Sequence, residues 1–275
     1  MRIASVGHVV FAVTMIALGT LGLSKGHFTV VWQAVPKGVP AREVLVDLCA
    51  FISIASGAGV LSRRTATVAA RALFAYLLFW LLIFRVPGLF HALTVDVYWS
   101  ACRDAVMVAA AWVLYAWLAN DWDRQRLGFA VGDSGLRMAR VLYGMAIIPF
   151  GLAHFQYVQR TAALIPRWLP AHVALTYFTG GCFIVAGLAV LIGVCARLAA
   201  ALSALEMGLF LLLVWIPAVA AGSLNAFQWS ETVTTWVLTA AAWMVADSYR
   251  HIPWLAVARS DRTMDYTRST SLGHS

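Results

Sequence analysis

Val35-Pro36-Lys37-Gly38-Val39-Pro40-Ala41 and Ile165-Pro166-Arg167-Trp168-Leu169-Pro170-Ala171 read as two copies of one proline-bracketed segment, 130 residues apart. At the same offset the match runs on through Ile54/Ile184, Gly57/Gly187, Ala66/Ala196, Ala70/Ala200, Pro87/Pro217 and Trp99/Trp229. Apolar chains share Leu and Ala by chance, but paired Pro and Trp positions in one register are hard to obtain that way, so the sequence reads as a tandem duplication. A His-Phe pair precedes each copy, in Gly26-His27-Phe28 and Ala153-His154-Phe155, and this reading sets His27 opposite His154.

Outward from these segments the chain is 62% hydrophobic and 12% charged, with a mean hydropathy of +0.81, which excludes an ordinary soluble domain. A bilayer core takes about 20 apolar residues per helix. Eight stretches qualify, at 7 to 24, 43 to 61, 67 to 90, 97 to 119, 139 to 157, 171 to 193, 197 to 220 and 228 to 247, four in each copy. The first has Arg2 ahead of it as a secretory signal would, but its internal partner lies mid-chain, so it is read as a retained helix. The expected fold is an all-α integral membrane protein of eight transmembrane helices, formed by two four-helix repeats. The expected domains are a first repeat at 1-119, a cytoplasmic linker at 120-136, a second repeat at 137-247 and a polar cytoplasmic tail at 248-275.

Counting Lys and Arg over alternate loops gives 13 on the side of the termini and 5 on the other, so both termini are expected in the cytoplasm of a bacterial-type inner (plasma) membrane. Topology then accounts for the net charge of +8, and no nucleic-acid motif accompanies it. An even number of helices per copy sends both copies into the membrane in the same direction, which implies a pseudo-twofold axis along the membrane normal.

Candidate chemistry gathers at the outer end of the first copy: His27, Asp47, Arg85, Arg103 and Asp104, with Lys37 in the proline-bracketed loop and Glu43 and Asp96 near helix ends. Ionisable groups in a membrane helix turn inward and pair, and Arg85 with Asp104 or Asp47 is the expected pair, lining an outward-opening cavity with Asp47 or His27. The second copy has Trp215 in place of Arg85, Tyr177 in place of Asp47 and Thr234 in place of Asp104, and carries Glu206 where the first has Tyr76. Glu206 is either a functional acid or a neutral, hydrogen-bonded one. His27 and His154 suit a quinone hydrogen bond, a proton shuttle or a plain interface role. Most of the 12 Trp read as an aromatic belt, while Trp80 and Trp215 lie deeper, where a flat ligand or simple packing is served. Cys49, Cys102, Cys182 and Cys195 form no Cys-x-x-Cys pair and read as packing residues. No metal, haem or flavin motif is present in the sequence.

The run Phe150-Gly151-Leu152-Ala153-His154-Phe155, then Ile165-Pro166-Arg167-Trp168-Leu169-Pro170, Tyr177-Phe178-Thr179-Gly180, Gly187-Leu188 and Arg197-Leu198-Ala199-Ala200 resembles the DoxX family of four-helix membrane proteins. The first copy resembles it through Gly26-His27-Phe28 and residues 36 to 40. The resemblance implies a redox-associated membrane protein, in the manner of the membrane subunit of a thiosulfate:quinone oxidoreductase. It implies quinone as cofactor, addressed by His27 or His154, an anion attracted by Arg85, Arg103 and Lys37, and an oxidoreductase partner subunit beside the lipid bilayer. The acidic residue that often follows Thr-Gly in the family is absent here, where Cys182 and Phe183 stand. The alternative is a non-enzymatic small-molecule or lipid-binding or transport bundle, or a membrane scaffold for a redox complex.

Overall fold

The computed structural model of the protein describes residues 4 to 29, 35, 38 to 91, 94 to 222 and 224 to 257. Lys37 and the tail beyond residue 257 lie outside them. The chain forms α1 (Val6–Lys25), α2 (Arg42–Leu61), α3 (Ala66–His91), α4 (Val95–Leu118), a short α5 (Asp121–Arg126), α6 (Gly132–Gln156), a short α7 (Val158–Ala162), α8 (His172–Ile192), α9 (Ala196–Ala220) and α10 (Ala226–Asp247). Seven of these, all but α5, α7 and α10, are long and apolar enough to cross a membrane, which places the protein among all-α, multi-pass membrane proteins.

Local conformation recurs where the sequence recurs. Pro40 and Pro170 are each followed by an alanine in the left-handed region, Ala41 at φ 53° and Ala171 at φ 54°, and each alanine caps the helix that starts next. L-residues enter that region at a cost, so the pairing marks one helix-start geometry adopted twice. α3 and α9 each widen into a π-helical turn, Leu81–Arg85 and Leu211–Trp215. Proline lacks an amide hydrogen and collides with the carbonyl four residues back; with Pro87 and Pro217 just beyond, the wider turn absorbs this by letting Val86 reach Leu81 and Ile216 reach Leu211.

Each long helix packs on its sequence neighbour, α1 on α2, α2 on α3, α3 on α4, α6 on α8, α8 on α9 and α9 on α10. The two sets are joined where α4 meets α6, α10 meets α1, and α4 meets α10. Closest approach is at glycines: a Cβ on Gly19 would fall 2.5 Å from the Ala50 carbonyl oxygen, and one on Gly151 2.2 Å from that of Gly180. Gly57 meets Ala12 and Ile16 as Gly187 meets Gly144 and Ile148. These contacts set Gly19 opposite Gly151 and therefore Gly22, not His27, opposite His154. The expected His27/His154 match does not hold: His27 follows the end of α1, while His154 lies inside α6, which runs on to Gln156.

The starts of α1, α3, α6 and α9 and the ends of α2, α4 and α10 share one end of the bundle, the terminal end. There the Asp247 carboxylate accepts from the Gly7 amide at 2.8 Å, His8 Nε2 lies 3.0 Å from the Val60 carbonyl oxygen, and Arg197 donates to the Ile252 carbonyl at 2.9 Å. Arg140 and Arg250 stack over Tyr249 and Trp117. Burial pushes the Tyr249 hydroxyl up to about 12, against the opposing pull of Arg140. The linker is ordered: in a capping box the Asn120 side chain accepts from the Asp123 amide while the Asp123 carboxylate accepts from the Asn120 amide, and Trp112 Nε1 donates to the Ala130 carbonyl at 2.8 Å. Burial alone would raise the Asp123 carboxyl; hydrogen bonds from Arg71, Tyr115 and the Asn120 amide overcome it and hold Asp123 below the usual carboxylate range. These contacts dock the linker, and α6 starts at Gly132, ahead of the boundary expected at 137.

Gly151→Ala is expected to lower thermal stability in detergent by the roughly 1 to 3 kcal/mol of overpacking. Gly181→Ala, whose Cβ would meet nothing within 4 Å, is expected to be neutral or slightly stabilising. Equal melting temperatures for the two variants would contradict the close α6–α8 approach.

Candidate functional site

Two places on the described structure hold chemistry. The first lies toward the end away from the termini. The π-helical turn of α3 presents Arg85, whose Nε donates to the Asp104 carboxylate of α4 at 2.6 Å. Both side chains are nearly covered, 14% and 7% exposed, so each removes a charge the bilayer would not tolerate alone. One residue back on α4, Arg103 points to a different neighbour, Nη1 lying 3.6 Å from Oε1 of Glu231 on α10. The two ion pairs tie α3 to α4 and α4 to α10.

His154 is the other sequence candidate brought into this region. Its Nδ1 lies 2.7 Å from the Phe150 carbonyl oxygen, which fixes the neutral ring as the Nδ1–H tautomer and leaves Nε2 with a lone pair. Its ring centroid is 5.6 Å from Phe183; Phe150 packs edge-on to Phe183 and tilted against Trp99, 6.0 and 4.5 Å away. On the same flank Tyr157 donates to Asp96 at 2.9 Å.

Not every expected member joins. Asp47 is exposed and makes no ion pair among the described residues, and His27 is exposed with Nδ1 3.2 Å from the carbonyl of Phe28. Trp80 is buried in an aromatic cluster with Phe28, Tyr76 and Phe84. Trp215 is 2% exposed, beside Phe210, with Nε1 buried and unpartnered among the described residues. Both indoles are buried within the helix bundle.

The second place is a groove of about 900 Å³ on the outer face of α8 and α9, floored by Ala186, Ala199 and Ser203 and edged by Phe178, Leu202 and Leu209. Glu206 opens into it, its Oε1 buried and without a hydrogen-bond partner among the described residues. Cys182 lines the same groove within electrostatic reach of Glu206. Ser203 shares a 2.8 Å hydrogen bond with the buried Tyr143 hydroxyl behind it. No group of three or more His, Cys, Asp or Glu among the described residues is arranged to hold a metal ion.

Sequence reasoning missed Glu231, although Arg103 in an apolar helix signalled that an acid must come from another helix. It also missed the groove, which depends on shape. No protein-family model matches the chain, and neither a curated protein nor a solved structure matches it.

Arg85→Met and Asp104→Leu are each expected to destabilise the protein by about 3 to 5 kcal/mol, the cost of stranding a buried charge, and together by less than the sum. A double-mutant cycle of melting curves in detergent reads the coupling; additive losses would show the two charges to be independent.

Proposed function

We propose that the chain is a duplicated, eight-span membrane protein of DoxX-like repeats with a pseudo-twofold along the membrane normal and both termini in the cytoplasm of a bacterial-type inner membrane. The exchange of partners between the two sets of helices, α4 on α6 and α10 on α1, supports the symmetry. α10 is the eighth span in this reading: its polarity comes largely from Thr232, Thr234, Thr235 and Thr239, each of which donates to the carbonyl four residues back and so hides its hydroxyl inside the helix. Arg140, Arg197 and Arg250 at the terminal end fit the cytoplasmic side. With the native cysteines replaced, a membrane-impermeant thiol reagent added outside should label Arg167→Cys and not Arg126→Cys; the reverse would invert the orientation.

In function the protein is a redox-associated membrane subunit that binds quinone and serves an oxidoreductase partner, of the thiosulfate:quinone type that the resemblance implies. The single observation that carries this reading is the His154 imidazole, held by the Phe150 carbonyl with Nε2 uncommitted beside the rings of Phe183 and Phe150. That lone pair accepts from a quinol hydroxyl, and the protonated ring donates to a quinone carbonyl. The electrons come from the partner or from thiosulfate. Protein purified in mild detergent should carry quinone by mass spectrometry, and His154→Phe should lose most of it at unchanged stability. Purified protein free of quinone, or equal quinone in the variant, would contradict the reading.

The α8–α9 groove favours a second reading, a non-enzymatic small-molecule or lipid-binding or transport bundle. A cleft of this volume, apolar and open sideways where lipid lies, admits a molecule already dissolved in the bilayer.

A further inference from the structure

The described acids that are not exposed are Asp104, Asp123, Glu206, Glu231 and Asp247, and four of them have a partner. Asp104 has Arg85, Asp123 has Arg71, Glu231 has Arg103, and Asp247 has the Gly7 amide. Glu206 has none, and no Lys, Arg or His lines its groove. A buried ionisable group without a counter-charge is costly, so a chain that pairs the others and leaves this one open holds a place for a charge from outside.

The surroundings define what that charge must be attached to. Phe178 and Val185 are 67% and 66% exposed and Leu202 is 53% exposed, so the mouth of the groove is apolar and faces sideways rather than toward either aqueous end. A small hydrated cation such as sodium would have to shed its water with one carboxyl to replace it. A cation carried on a hydrocarbon body meets both requirements, because the body fills the apolar volume while the charge reaches the carboxyl. The first copy does not offer the same site: the matching residue there is Tyr76, whose hydroxyl lies beside Cys49 and Ser53, and Phe28 closes over Trp80 with 3% exposure.

We propose that the α8–α9 groove is a binding site for lipophilic organic cations, protonated amines with an apolar body, which pair with Glu206. This rests on the second reading above, that the groove takes a bilayer-dissolved molecule, and is independent of the quinone assignment to His154.

The test compares dodecylamine with 1-dodecanol, which share a chain and differ in charge, titrated into full-length protein in lipid nanodiscs with empty nanodiscs subtracted. The wild type should bind the amine more tightly than the alcohol. Glu206→Gln, which keeps the side-chain shape, should weaken the amine at least about tenfold, the factor expected on losing a charge-assisted contact, and leave the alcohol unchanged. A melting temperature equal to that of the wild type shows that the variant is folded. If amine and alcohol bind equally and the variant changes neither, the cation assignment is overturned while the groove remains a binding site. If neither ligand binds above empty nanodiscs, both the assignment and the groove reading fail.

Discussion

The burial of α4 and α10 against each other and against both sets of helices is the constraint on which the rest depends. Ala109, Ala110 and Ala111 on α4 and Ala241 and Ala242 on α10 are all 0% exposed, and Ala240 is 1% exposed. In lipid, where tails are as apolar as leucine, association is driven by close packing and polar contacts rather than by escape from solvent; small residues permit the approach that makes packing sufficient. A helix covered on every side must pair any charge it carries. Arg103 and Asp104 are therefore answered from two other helices, and that requirement fixes the π-helical turn of α3 and Glu231 of α10 in place around α4.

Around that shared centre the two sets of helices differ. Arg85 and Trp215 occupy corresponding π-helical turns, one supplying an ion pair and the other a buried ring. Where Tyr76 satisfies itself beside Cys49 and Ser53, Glu206 faces an open groove. Of the described acids that are not exposed, the one without a partner among the described residues, Glu206, lies in the second set of helices.

The parts legible in the sequence were those a single residue type enforces. Proline repeated at one spacing marked the two places where the backbone departs from regular helix, because proline restricts backbone geometry wherever it stands, but the left-handed alanines and the widened turns themselves were seen only in the structure. Arg85 and Asp104 could be paired because they sit at similar depth on consecutive antiparallel helices. His27 and His154 misled because the packing register is read at Gly19 and Gly151, and the loop that follows α1 differs in length from its counterpart. Glu231 escaped notice because a charge on the last helix has no sequence neighbour to point at it, and the groove because volume between helices is a property of packing alone. The polar stretch after α4 read as a plain linker, whereas Asp123 and Ala130 anchor it to α3 and α4.

The most direct test of the account is cross-linking across the α4–α10 seam in intact membranes. In a chain without native cysteines, Arg103→Cys and Glu231→Cys are combined, a protease site is placed within residues 127 to 131, and a short thiol-reactive cross-linker is added before cleavage. The account predicts that cross-linked chains stay full-length on a denaturing gel after cleavage, while untreated chains separate into two fragments. Separation into two fragments despite full modification of both cysteines would contradict the seam and the arrangement of helices built on it.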